Sequence, residues 1–332
     1  MGFETQDVER KVLAILRTLG GSQEPVGSTV IAKRLKSLGV DLSERAVRYH
    51  LRLMDERGLT QLVGRRDGRI ITELGQAEIK QALVTQKVGS ALARIETLAF
   101  RTSFDRDKRT GSVPVNISFF YKDDFKKALK IMKPIFQAGF CVSKLATVAN
   151  EGEMIGDVLV PEGMTGLATV CSVVVNGTLL KAGVPTDSKF GGILQIQNNK
   201  PLRFVELIHY DGSSLDPTEI FIRANMTSVI KVVETGSGGI LANYREIPAI
   251  SKPLVEEVQE KLIDAGITGF LMIGNVSEPV CEIPIELNRI GVILLGGLNP
   301  VAAVTEAGIY SESHAMSTII DYQKLTPIAE IV

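Results

Sequence analysis

Along the first 75 residues, apolar positions recur at intervals of three and four: Val8, Val12, Leu13, Ile15, Leu16 and Leu19, then Val30, Ile31, Leu35 and Leu38, then Val47, Leu51 and Met54. That spacing puts each set on one face of a helix. Asp7 and Ser43 supply N-cap side chains for the first and third helices and Ser28 opens the second, while Gly20-Gly21, Gly39 and Gly58 stop them. Only Val40-Asp41-Leu42 separates the second helix from the third. After Gly58 the pattern becomes extended, with residues 60–63 and 69–72 flanking the turn Gly64-Arg65-Arg66-Asp67-Gly68. Three helices followed by a basic hairpin predict a winged helix-turn-helix over residues 5–75.

The helical period continues past this head. Apolar residues at Val88, Ala91, Leu92, Ile95 and Leu98 make residues 76–110 a helical connector that runs out into the charged, turn-rich stretch 101–111. Its apolar face either pairs with its equivalent in a second subunit or packs on its own body. Residues 111–325 then mix two periods. Val113, Val115, Ile117 and Phe119 alternate as a half-buried strand, and an amphipathic helix over 123–137 ends at Gly139. Residues 166–175 and 178–181 flank Asn176-Gly177, a strong hairpin signal, and 191–197 and 201–209 flank Asn198-Asn199 as a second hairpin. A helix over 253–265 precedes strands at 268–273 and 291–295. The expected fold class is α+β, or mixed α/β: an N-terminal winged helix-turn-helix followed by a larger mixed α/β effector domain with antiparallel hairpins.

Composition narrows the class. At 332 residues the chain exceeds what one core usually serves, and 45% apolar with 23% charged residues is ordinary for an ordered globular protein. Cys141, Cys171 and Cys281 are odd in number and far apart, which speaks against a disulfide framework and a Cys-x-x-Cys zinc site and for a reducing compartment. His50, His209 and His314 show no metal-ligand spacing, so no metal is expected. The N-terminus lacks the features of a signal peptide, and no run reaches the roughly 18 apolar residues of a membrane span. A soluble, cytoplasmic protein without a membrane partner is expected. Residues 1–74 carry 13 Lys and Arg against 10 Asp and Glu, and the remainder 24 against 28, so a mildly basic head precedes a mildly acidic body. That is the sign a phosphate-facing head needs.

The third helix carries two faces. Val47, Leu51 and Met54 point one way, and Arg45, Arg48, Tyr49 and Arg52 the other. In a winged helix the second helix braces the third, which enters the major groove of double-stranded DNA. Arginine's planar fork suits guanine O6 and N7, and Tyr49 suits a thymine methyl or a phosphate. Arg65, Arg66 and Arg69 on the wing are expected on phosphates, which set register without reading sequence. Winged helices also take RNA or protein, so an interaction adaptor remains a rival reading.

Two glycine-rich segments stand out in the body, 236–248 and 296–303. In the second, a buried strand runs into Gly296-Gly297, and Asn299 is expected to cap a helix with Pro300 at its first position, leaving backbone N–H groups for a carboxylate or phosphate. Arg245 is a matching partner, because its fork takes a carboxylate in two bonds. Close packing is the competing explanation of the glycine pair. No P-loop or dinucleotide fingerprint is present. Cys171-Ser172 sits in a predicted strand with no histidine nearby, so the chain is not expected to be an enzyme; a small-molecule enzyme tethered to DNA is the remaining alternative.

Five islands, Cys171-Ser-Val-Val-Val-Asn-Gly177, Phe190-Gly-Gly192, Tyr210-Asp-Gly-Ser-Ser-Leu-Asp-Pro217, Tyr244-Arg-Glu-Ile-Pro248 and Gly296-Gly-Leu-Asn-Pro300, give the chain a resemblance to the NrpR family of archaeal repressors of nitrogen-assimilation genes. The resemblance covers nearly the whole chain, the head included. It implies repression of nitrogen-fixation and glutamine-synthetase operons from palindromic operators of GGAA/TTCC type, a homodimer, and 2-oxoglutarate as an allosteric effector that releases DNA, with no cofactor. For that effector the candidates are Ser172, Ser213, Arg245, Gly296, Gly297 and Asn299. Several family members carry two tandem effector domains, whereas this sequence has length for one. A second NrpR-type regulator is therefore an implied partner, and the resemblance also implies a PII-type signalling protein as one.

Overall fold

In a computed structural model, residues 2–20, 22, 24–37, 40–64, 68–81 and 88–331 are described. The chain divides into two compact units, 1–87 and 88–332. In the first, α1 (Gly2–Gly20), α2 (Ser28–Ser37) and α3 (Glu44–Glu56) are followed by β1 (Thr60–Gly64), β2 (Gly68–Ile71) and α4 (Glu73–Gln81). Val12, Ile15, Leu16 and Leu19 of α1 meet Ile31 and Leu35 of α2 and Val47, Leu51 and Met54 of α3 in one core. The three periodic faces of the sequence thus converge. β1 and β2 pair antiparallel, and Val26 adds a backbone bridge to Arg69. Gly68 is required there: its φ is +103°, and a Cβ would stand 2.4 Å from the Val26 carbonyl. No breaker separates Phe3 from Asp7, so α1 starts at Gly2 and Asp7 lies inside it rather than capping it. Gly21, Leu38 and Gly39 lie outside the described residues.

The expected connector 76–110 is not one element. α4 packs on α1, residues 82–87 lie outside the described ones, and α5 (Ser90–Arg101) belongs to the second unit. Its apolar face packs on its own body: Ala91, Ile95, Leu98 and Ala99 are buried in the body's core.

The second unit holds two five-stranded antiparallel sheets. The first has the order β13-β3-β7-β4-β14, from β3 (Ser112–Tyr121), β4 (Leu145–Asn150), β7 (Met164–Val170), β13 (Glu312–Asp321) and β14 (Thr326–Pro327). The second has the order β11-β12-β10-β8-β9, from β8 (Asp187–Gln197), β9 (Lys200–His209), β10 (Gly238–Pro248), β11 (Phe270–Ile273) and β12 (Arg289–Leu295). β5 (Met154–Ile155) and β6 (Val158–Leu159) form a separate small pair. The helices are α6 (Lys122–Gln137), α7 (Val173–Lys181), α8 (Pro217–Arg223), α9 (Val229–Thr235), α10 (Lys252–Asp264) and α11 (Asn299–Glu306). Two buried clusters each draw on both sheets.

The Asn198-Asn199 hairpin forms as expected, with both residues at positive φ, +51° and +60°, joining β8 to β9. The Asn176-Gly177 hairpin does not. β7 ends at Val170, and 173–181 is helix α7, most of it buried. Tertiary contacts override the local signal: the Asn176 amide donates to Ser188 Oγ at 3.0 Å, and a Cβ on Gly177 would stand 2.5 Å from that of Thr102. The glycine-rich segment 236–248, given no element from the sequence, is mostly strand. It supplies β10, the central strand of its sheet, buried from Ile240 to Ile247.

Candidate nucleic-acid interface and effector cavity

Ser43 caps α3, its Oγ accepting the Ala46 N–H at 3.2 Å. Ser43→Ala is expected to destabilise the head by about 1 kcal/mol. Amide exchange in α3 of the intact chain reads this, and an unchanged opening free energy would show that the cap contributes nothing. From this anchored start, Arg45, Arg48, Tyr49 and Arg52 stand exposed while Val47, Leu51 and Met54 are fully buried. Arg48 pairs with Glu44 at 3.2 Å and Arg52 with Glu56 at 3.6 Å. Such exposed pairs are worth about 0–1 kcal/mol, so both guanidinium groups exchange easily onto a base or phosphate.

Arg65 and Arg66 lie outside the described residues. Arg69 has a different job from the one expected: its Nε donates to Asp55 Oδ2 at 2.7 Å, and Thr60 Oγ1 donates to Asp55 Oδ1 at 2.6 Å. It ties the hairpin to the last turn of α3 and is not a free phosphate ligand.

In the body, β10 carries Arg245, which among the described residues heads the fully buried side chains by volume, at 1% exposure. Its Nε donates to Asn176 Oδ1 at 3.4 Å and Nη1 to the Tyr244 carbonyl at 3.1 Å. The guanidinium lies 5.1 Å from the centre of the Tyr210 ring. Among the described residues no carboxylate comes within 4 Å of it. A buried cation without a salt bridge is costly, and an incoming anion recovers that cost.

Arg245 lines a small cavity together with Ser172, Gly297, Asn116, Asn243 and Tyr210. Tyr210 donates to Asn243 Oδ1 at 2.6 Å, and Asn243 Nδ2 donates to Ser172 Oγ at 3.2 Å. Asp216 also lines it and caps α8, accepting the Thr218 N–H at 2.8 Å. Burial raises this carboxyl above its ordinary range, against hydrogen bonds from Thr218 and the fields of Arg245 and Arg94, which lower it. The cavity measures about 20 Å³, room for about one water. It is too small for a dicarboxylate in this conformation.

Of the six candidate effector residues, Arg245, Ser172 and Gly297 therefore meet at one cavity. Ser213 does not join them: its Oγ donates to the Leu215 carbonyl at 2.5 Å and accepts the Leu215 N–H at 3.2 Å. Asn299 does not cap α11. Leu298 holds that position, and the fully buried Asn299 amide accepts from Leu241 N at 2.8 Å and donates to Leu241 O at 3.0 Å. Gly296 serves close packing, since a Cβ there would stand 2.6 Å from that of Leu241. Asn243, Tyr210 and Asp216 were missed, although Asp216-Pro217 is a helix-start signature. Burial pushes the Cys171 thiol up to about 12, so it is not primed as a nucleophile.

A winged helix with an arginine-bearing third helix, joined to a two-sheet body, defines a DNA-binding transcription regulator. Residues 13–79 match the Ribonuclease R winged-helix domain and residues 88–327 the NrpR regulatory domains NRD1 and 2. The global nitrogen regulator NrpRI of Methanosarcina mazei is 40% identical over 321 residues, 97% of this chain and 98% of that protein. The global nitrogen regulator NrpR of Methanocaldococcus jannaschii is 33% identical over 96% of this chain, and that of Methanococcus maripaludis 31% over 94%. The chain spans about half of those two proteins, 55% and 54%. A crystal structure of a nitrogen repressor-like protein from Methanococcus jannaschii superposes with a TM-score of 0.61 at 28% identity, covering 72% of this chain and 98% of that one. The chain belongs to the NrpR family of nitrogen regulators. Among the described residues no helix is long and apolar enough to cross a membrane.

Proposed function

We propose that this protein is a cytoplasmic repressor of nitrogen-assimilation genes that binds palindromic operator DNA as a homodimer and is released by 2-oxoglutarate. The exposed row Arg45, Arg48, Tyr49 and Arg52, backed by the buried face of α3, carries the reading of bases. Arg65 and Arg66 are assigned to phosphates. The effector is assigned to the Arg245 cavity: a dicarboxylate with a keto group offers an anion to the unpaired guanidinium and an acceptor to Asn243 or to the Gly297 N–H. Because the cavity is too small for a dicarboxylate, the effector must select a widened form, and its preference for that form sets how far DNA affinity falls. A second NrpR-type regulator and a PII-type protein are proposed partners on family grounds.

Fluorescence anisotropy with a GGAA/TTCC palindrome, at two salt concentrations and with or without 2-oxoglutarate, tests this. Affinity is expected to fall steeply with salt and again with effector. Binding that ignores salt, or equals that of a scrambled duplex, would remove the operator role.

A further inference from the structure

The side of α5 bearing Arg94, Thr97 and Arg101 borders an open groove of about 550 Å³, whose other wall is Ile117 of β3 and His314, Ala315, Met316 and Ser317 of β13. That volume is in the range of roughly 300–1,000 Å³ usual for small-molecule sites. Arg94 and Arg101 are seven residues apart, so both stand on one stripe of the helix with Cα atoms about 10 Å apart. Among the described residues neither has a hydrogen bond, nor a carboxylate within 4 Å. Arg106, Arg223 and Arg289 of the same unit, by contrast, each face a Glu or Asp.

The β13 wall is irregular. Pairing with β3 passes from His314↔Ile117 directly to Thr318↔Val115, so 315–317 bulge out of the ladder. Met316 takes a left-handed backbone, φ +51°. Side chains hold the bulge: Asn116 Oδ1 accepts Met316 N–H at 3.0 Å, Glu219 Oε1 accepts Ala315 N–H at 2.8 Å, and Ser317 Oγ accepts Ile117 N–H at 3.1 Å. Ala315 and Met316 also line the Arg245 cavity, so the bulge is the shared wall between that cavity and the groove. Bulges of this kind re-aim strands beside functional sites, and strained residues held by their surroundings cluster at ligand clamps and switch regions.

We propose that this groove is an anion site of its own, the outer seat for a small dicarboxylate, with one carboxylate held by Arg94 and Arg101 and the other directed at the bulge that covers Arg245. The proposal rests on the reading of the body as the sensor of an anionic effector. It supplies what the small cavity lacks: space for the ligand, and two exposed cations with no ion pair within 4 Å among the described residues to draw it in.

Isothermal titration calorimetry on the intact chain tests it, with 2-oxoglutarate and the monocarboxylate 2-oxobutyrate as probes. Wild type is expected to bind the dicarboxylate at least tenfold more tightly than the monocarboxylate. Arg94→Gln with Arg101→Gln should weaken 2-oxoglutarate at least tenfold and erase that preference, while Arg94→Lys with Arg101→Lys should recover most of the affinity. Both substitutions are at exposed positions, and an unchanged unfolding midpoint confirms that the fold is kept; single Arg101→Gln gives the same reading at smaller amplitude. Wild-type affinity in the double Gln variant overturns the groove and leaves the effector reading standing. No heat from wild type with 2-oxoglutarate overturns both.

Discussion

Arg48→Ala is expected to weaken binding to a palindromic operator by roughly 2–6 kcal/mol, or about 30-fold to 20,000-fold. A bidentate arginine–guanine contact is worth about 1–3 kcal/mol of discrimination, and a two-fold dimer uses it twice. The substitution leaves the head folded, because the side chain is exposed and its ion pair is the exposed contact with Glu44. Anisotropy on operator and scrambled duplexes reads the effect. The loss should fall mainly on the operator, so that base preference relaxes. Arg65→Ala makes the comparison: as a phosphate ligand it should cost both duplexes alike and lower the salt slope by about 1 per subunit. Equal losses on both duplexes for Arg48→Ala would take it out of the groove.

The head was legible because each of its helices declares its own buried face, and the three faces have no other core to join. Ser43 and Gly58 bracket α3 by local chemistry alone, and the Arg45 to Arg52 row follows from the period. What failed there was Arg69, since nothing local says that Asp55, fourteen residues earlier, will claim its guanidinium. In the body, strands that alternate and the Asn198-Asn199 turn could be read, because one face or one turn decides them. β10 could not: it is central and buried on both faces, so it has no alternation to mark it as a strand. Asn176-Gly177 carried a hairpin signal that long-range partners, Ser188, Thr102 and Arg245, overrule. In the Gly296-Gly297-Leu298-Asn299 motif, a side-chain amide that pairs with the Leu241 backbone looks the same in sequence as a helix cap. The apolar period of residues 88–98 carries no sign of the Arg94 and Arg101 stripe beside it.

Arg245→Gln is expected to leave DNA affinity unchanged and to abolish its response to 2-oxoglutarate. The operator-facing residues belong to the other compact unit, so their contacts with DNA are untouched. The cavity keeps a polar side chain near Asn176 but loses its one buried cation, and with it the reason for an anion to enter. Stability gives an independent check with a definite sign. Asp216 already has a carboxyl raised by burial, and the field of Arg245 is one of the influences holding it down. Without Arg245 it rises further. A carboxyl raised in the folded state favours folding below its unfolded value and loses that contribution as pH rises through the folded value. The destabilisation caused by Arg245→Gln should therefore be larger at pH 7 than at pH 4 in chemical denaturation, and Arg245→Gln combined with Asp216→Asn should remove the difference, because asparagine caps α8 equally well. Retained release by 2-oxoglutarate would exclude Arg245 from the effector site. A penalty independent of pH would show that Arg245 and Asp216 do not share a field.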